Sequence, residues 1–219
     1  MFIGHFGVGF GAKSVAPRVS LGTLFMAAQF LDLLWPTFLL LGVEQVRISP
    51  DATQVTPLLF ANYPFSHSLL AVFGWAVLIG GLYFYIRRDR KSAVIVGALV
   101  VSHWILDAIV HSPDLPIFPN SHFLVGFGAW SSLPLTLLIE GSLFLFGIWL
   151  YVRRTAPNDA VGKWGFWSLI AFLLIIYAGN LFGSPPQSHE AIAWAGQMQW
   201  LLVLWGYWVE KHRHNRASA

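Results

Sequence analysis

The chain has 219 residues, of which 56% are hydrophobic and 11% charged, with a formal net charge of +3. A soluble domain carries about 25% charged residues, so this composition excludes an ordinary water-facing surface and points to a bilayer. There is no Cys, which excludes a disulfide framework and a thiolate metal site, and no nucleic-acid partner is expected.

Residues 1–12, MFIGHFGVGFGA, are apolar but too short to span. Twelve helical residues reach about 18 Å, so a re-entrant or interfacial helix is expected. Gly7-x-x-x-Gly11 gives the small-residue spacing of close helix packing. No basic residue precedes this stretch, and a signal peptide is not expected. Apolar runs then occur at about 20–42, 66–86, 92–111, 132–152, 164–183 and 191–209, each near the ~20 residues a bilayer core requires. The expected fold class is an all-α integral membrane protein of about six transmembrane helices. It forms a single transmembrane domain over 1–219, with the polar core in 1–152 and a supporting hairpin and basic tail in 153–219.

Basic residues set the expected orientation. Lys13, Arg18, Arg87, Arg88, Arg90, Lys91, Arg153, Arg154, Lys163, Lys211, Arg213 and Arg216 fall at alternate ends of these runs, and only Arg47 falls at the other ends. The positive-inside rule places both termini in the cytoplasm, in a bacterial inner membrane. The connections at 43–65, 112–131 and 184–190 are then extracytoplasmic.

Ionisable side chains interrupt the apolar runs. His103, Asp107 and His111 are spaced i, i+4 and i+8, which places them on one helical face. Counted from the basic anchors at 1.5 Å per residue, Asp32 lies about 21 Å deep, His103 about 18 Å, Asp107 about 24 Å and Glu140 about 20 Å. His67 and His111 lie nearer 30 Å, and His5 about 12 Å from Lys13. Such residues are costly in lipid and mark a functional site by default. A divalent cation holds the carboxylates ionised and the imidazoles neutral, and Zn²⁺ accepts both donor types, with Mn²⁺ and Fe²⁺ as alternatives. The candidate ligands are His5, Asp32, His67, His103, Asp107 and His111. Glu140 is a candidate general base or a protonated acid bonded to a neighbouring helix. Ser66 is expected to cap the second span, and Asp114 to be a solvated loop acid. His122 is a weaker ligand candidate. His212 and His214 read as part of the basic tail.

The order His5, Asp32, Ser66-His67-Ser68, His103-x-x-x-Asp107 resembles the YdjM-like family of predicted membrane-bound metal-dependent hydrolases. The match covers the first half to two thirds of the chain. The family pattern has a Pro-Asp-x-Asp element near the first acid, where this chain has Phe30-Leu31-Asp32-Leu33-Leu34-Trp35-Pro36 with a single acid. The same order is distantly similar to the zinc-dependent phospholipase C and P1 nuclease group. That resemblance implies one metal centre of Asp32, His67, His103 and Asp107, with Asp107 bridging to a second metal that His5 helps hold.

The function expected from these features is hydrolysis by a metal-activated water. The substrate class is an amphiphile such as a lipid or lipid-linked phosphate, the partners being membrane lipid and, at the last two spans, a second copy of the chain. The alternative is a proton- or metal-ion-coupled transporter using the same Asp/His cluster. Paired axial His on a haem, and a purely structural polar network, are further readings.

Overall fold

A computed structural model describes residues 1–216. Helix accounts for 64% of the chain, and the strands are short antiparallel pairs in the connections. The helices in chain order are α1 (Ile3–Ala12), α2 (Leu21–Ala28), α3 (Phe30–Leu40), α4 (Leu69–Arg87), α5 (Arg90–Val110), α6 (Leu133–Arg154), α7 (Ala160–Phe182), α8 (His189–Gln197) and α9 (Gln199–Lys211). Most begin on a polar side chain that accepts a backbone N–H of the first turn: Ser20, Ser68, Asp89, Ser132, Asp159 and Ser188. The cap of α4 is thus Ser68 and not Ser66, which has a different task described below.

Four helices, α4 to α7, are long and apolar enough to cross a membrane. The first apolar run is divided: α2 and α3 meet at Gln29 with a 58° bend and reach spanning length only as a pair. The last run is also divided. α8 and α9 join at Met198, and neither has spanning length alone. Among the described residues, length and composition thus give four candidate spans, or five with the bent pair, where the sequence suggested six. α8 lies against α3, and Gly196 sits so close to Pro36 that a Cβ there would fall 2.4 Å from its ring.

α1 is a buried helix within the bundle. Phe6 and Phe10 are fully buried, and Phe10 packs edge-on to Phe25, Phe144, Tyr151 and Phe166. α1 runs against α6 so closely that a Cβ on Gly147 would lie 1.9 Å from the Gly7 carbonyl oxygen. The small-residue spacing of the N-terminal stretch serves this approach. α4 and α5 form a hairpin, α2 packs on α9, and α2 also contacts α1 and α5.

The basic connections share one end of the molecule. Lys13 pairs with Glu210, and β5 (Thr155–Pro157) pairs antiparallel with β6 (Arg213–Asn215). Arg18 and Arg87 line one small cavity there. Arg213 is buried over the Tyr151 and Phe166 rings and donates to Thr155 Oγ1 and the Gly162 carbonyl, so this part of the tail is docked. His212 bonds Asp159, which together with the Gly162 N–H holds that carboxyl below its ordinary range. At the other end lie the hairpin of β1 (Gln45–Ile48) and β2 (Leu58–Asn62) and the short pair β3 (Leu115–Pro116) and β4 (Leu124–Val125).

Candidate metal centre

α5 carries His103 and Asp107 one turn apart, both buried. The His103 Nδ1 lies 2.8 Å from the Ala28 carbonyl oxygen. A carbonyl only accepts, so Nδ1 bears a proton, and in the neutral ring Nε2 is the nitrogen that offers a lone pair. Ala28 is the last residue of α2, where helical carbonyls lack intrahelical partners. The bend at Gln29 thus supplies the group that orients His103.

His67 precedes α4 and is oriented in the same way by a longer relay. Glu44 Oε1 accepts the Phe65 and Ser66 backbone N–H groups, each at 2.8 Å, and Oε2 accepts the Ser66 hydroxyl at 2.6 Å. Ser66 has a single hydroxyl proton, and it goes to Glu44. Its oxygen therefore accepts from His67 Nδ1, 2.7 Å away, and His67 Nε2 also keeps a lone pair. Glu44 and the Ala28 carbonyl carry no spacing signal in the sequence. Ser66 carried one, beside His67, that reads equally well as a cap.

The two Nε2 atoms meet two carboxylates. His103 Nε2 lies 3.1 Å from Asp107 Oδ2 and 3.7 Å from Asp32 Oδ1. His67 Nε2 lies 3.7 Å from Asp107 Oδ2 and 3.8 Å from Asp32 Oδ1. His103 Nε2 is fully buried and makes no hydrogen bond despite these neighbours. Ligands about 2.0–2.1 Å from a tetrahedral ion stand roughly 3.3–3.5 Å apart, within the span of the four distances. Buried lone pairs facing carboxylate oxygens with no proton between them repel, and a cation among them reverses the sign. Asp32, His67 and His103 form one trio of convergent donor atoms, and His5, His103 and Asp107 form a second.

His5 stacks on His103 with ring centroids 3.6 Å apart, and its Nε2 lies 3.0 Å from Asp107 Oδ1. Its Nδ1 is buried without a partner. The Met1 nitrogen also reaches Asp107 Oδ1, at 2.7 Å. The two oxygens of Asp107 therefore face different groups, Oδ1 toward His5 and Oδ2 toward His67 and His103.

Five of the seven site residues expected from the sequence thus converge: His5, Asp32, His67, His103 and Asp107. His111 and Glu140 belong to neither trio. His111 bonds Asp114 through Nδ1 at 2.9 Å, and its ring packs on Trp130 and Phe60. Asp114 also accepts the Tyr63 hydroxyl at 2.6 Å, so it is a structural partner and not a freely solvated loop acid. Glu140 Oε2 accepts the Phe2 and Gly4 backbone N–H groups at 2.8 and 3.2 Å, where it caps α1. His122 is exposed on a loop, away from both trios, and His214 contacts Asn158.

A cavity of about 770 Å³ opens onto this cluster. Asp32, His67, His111 and Glu140 form its polar wall, and residues of α7, α8 and α9 form a long apolar one. Asp32 is the ligand candidate most open to it, with 24% of its side chain exposed. The chain matches no family model, no curated protein and no solved structure.

Proposed function

We propose that this protein is a membrane-embedded, metal-dependent hydrolase acting on an amphiphilic substrate, of the kind the YdjM-like resemblance implies. The observation that carries the reading is the buried His103 Nε2, which makes no hydrogen bond although Asp107 and Asp32 oxygens lie 3.1 and 3.7 Å away. Asp32, His67, His103 and Asp107 hold a divalent cation, Zn²⁺ in the first instance. His5 and Asp107 Oδ1 would offer two donors to a second ion, without His103, whose single Nε2 lone pair serves the first. A bound cation supplies Lewis acidity and lowers the pKa of a coordinated water toward 7.

The chain's own residues do the rest. Asp32 and His67 sit where the cavity meets the cluster and position the scissile group. Glu140 keeps Oε1 without a hydrogen bond on the cavity wall and takes the proton of the attacking water. His111, held by Asp114, returns a proton to the leaving group. The transporter alternative needs a polar path onward through the bundle. On α5 the buried residues toward the basic end from His103 are Val100, Leu99, Val96 and Ala93, and then Ser92, which bonds the capping Asp89; the apolar stretch favours a dead-end site over a conduit. The basic end faces the cytoplasm of a bacterial inner membrane in this reading.

The test is metal content by mass spectrometry on tag-free protein, beside an Asp32→Asn, Asp107→Asn double variant. Near-stoichiometric Zn, Mn or Fe in the parent, lost in the variant, is expected. A parent that stays metal-free after incubation with each ion overturns the reading.

A further inference from the structure

The apolar arm of the large cavity has a shape of its own. It follows α7 from Phe172 to Leu181, roughly 14 Å of helix, and is closed on the other side by Ile192 of α8 and by Leu202 and Trp205 of α9. The same cavity is lined by Asp32 and His67 and, at the turn after α7, by Gly183. No Lys or Arg lines it among the described residues. A small polar substrate has no use for such a wall, and an anion finds no fixed positive side chain in it. A molecule that fits has a long apolar chain along α7 and a head group held at the acid–imidazole cluster by the cation there.

The lip of this arm is open as well. Gly179 and Asn180 are exposed on α7, and a Cβ built on Gly179 meets nothing within 4 Å. Glycine inside a helix is unfavourable relative to other residues. No neighbour requires the small residue at this point, whereas Gly147 and Gly196 are both needed for close contacts. Gly179 and Asn180 also line the cavity, so the open space at Gly179 adjoins it.

We infer that the groove between α7 and α8–α9 binds the single long apolar chain of an amphiphile whose anionic, hydrolysable head group reaches Asp32 and His67. The inference rests on the proposed hydrolase for its head-group end. The chain-binding end stands on the groove itself. Head-group affinity requires the cation, because no Lys or Arg lines the cavity among the described residues and the Met1 amino group in its wall is engaged by Asp107. Chain affinity does not require it.

The probe is hexadecyl phosphate bearing a diazirine on the distal half of its chain, photolysed with the full-length protein in phosphatidylcholine nanodiscs. Cross-links map by peptide mass spectrometry. Labelling is expected on α7 and α9, suppressed by unlabelled hexadecyl phosphate and unaffected by butyl phosphate. Gly179→Leu, which projects into the groove and improves helix propensity, lowers that labelling by about tenfold or more with metal content unchanged. Labelling spread over lipid-facing α4 and insensitive to Gly179→Leu means bulk bilayer contact only and overturns the inference. So does an α7–α9 surface that remains unlabelled because a second copy of the chain covers it. The two readings separate cleanly. A metal-free protein with intact groove labelling overturns the hydrolase and leaves the groove, and a metal-loaded protein with no groove labelling does the reverse.

Discussion

Ser66 and Ser68 flank the same histidine and do different things, which makes them a matched pair for testing how the centre is oriented. Ser66 relays the Glu44 carboxylate to His67 Nδ1, and Ser68 caps α4 by accepting the Ala71 N–H. Partners that hold a ligating imidazole are worth about 10–100-fold in metal affinity. Ser66→Ala is therefore expected to weaken metal binding by that factor, measured by chelator competition, with little change in helix stability. Ser68→Ala is expected to cost about 1 kcal/mol of stability and leave metal affinity unchanged. Equal metal loss in both variants would refute the division of labour. The His103–Asp107 pair was legible in the sequence because i, i+4 spacing places two side chains on one face. The Ser66–Glu44 bond was not, because its partners are 22 residues apart and only the loop fold joins them.

Between helices, the centre depends on α1 lying deep against α6. Glu140 caps α1 from α6, and the Gly7–Gly147 contact permits the approach that brings His5 over His103. Gly147→Leu drives a side chain into the Gly7 carbonyl, where backbone has no room to yield. It is expected to cost about 1–3 kcal/mol and to withdraw His5, leaving the Asp32–His67–His103 trio able to retain metal. Complete metal loss in that variant would show that His5 is indispensable. Glu140→Gln separates capping from catalysis, because the amide keeps an acceptor oxygen for Phe2 and Gly4 but is no base. Hydrolysis is expected to fall by about 10²–10⁴-fold at an unchanged melting temperature. A lower melting temperature with normal turnover would make Glu140 a cap alone. Hydropathy found α4 to α7 because long apolar runs are what it reads. It missed the bend at Gln29 and the break at Met198, which sit beside tertiary contacts that hydropathy does not read: Ala28 to His103, and Gly196 against Pro36.

For the whole molecule, the proposed metal links to the fold, because the residues that would hold it come from α1, α3, α5 and the loop before α4. A ligand held only by the native state at a hundredfold excess over its Kd adds about 3 kcal/mol, or roughly 6–12 °C in a chain of this size. Chelation is expected to lower the melting temperature by that amount in the parent and not at all in the Asp32→Asn, Asp107→Asn variant. Orientation is the other global property. Twelve of the basic positions alternate between the ends of apolar runs, and contacts such as Lys13–Glu210 and β5–β6 gather several of them at one end of the bundle. The proposed orientation, from the positive-inside rule, has that end in the cytoplasm and the β1–β2 hairpin outside. The chain has no Cys, so single cysteines report on this without background. Asp51, between β1 and β2, and Lys91, in the first turn of α5, are both exposed and lie at opposite ends. In intact cells a membrane-impermeant maleimide is expected to label Asp51→Cys and to spare Lys91→Cys, and permeabilisation to expose both. The inverse pattern would turn the molecule over. The metal cluster would then lie in the cytoplasmic half of the bilayer, and the α7–α9 groove would draw its amphiphile from the inner leaflet.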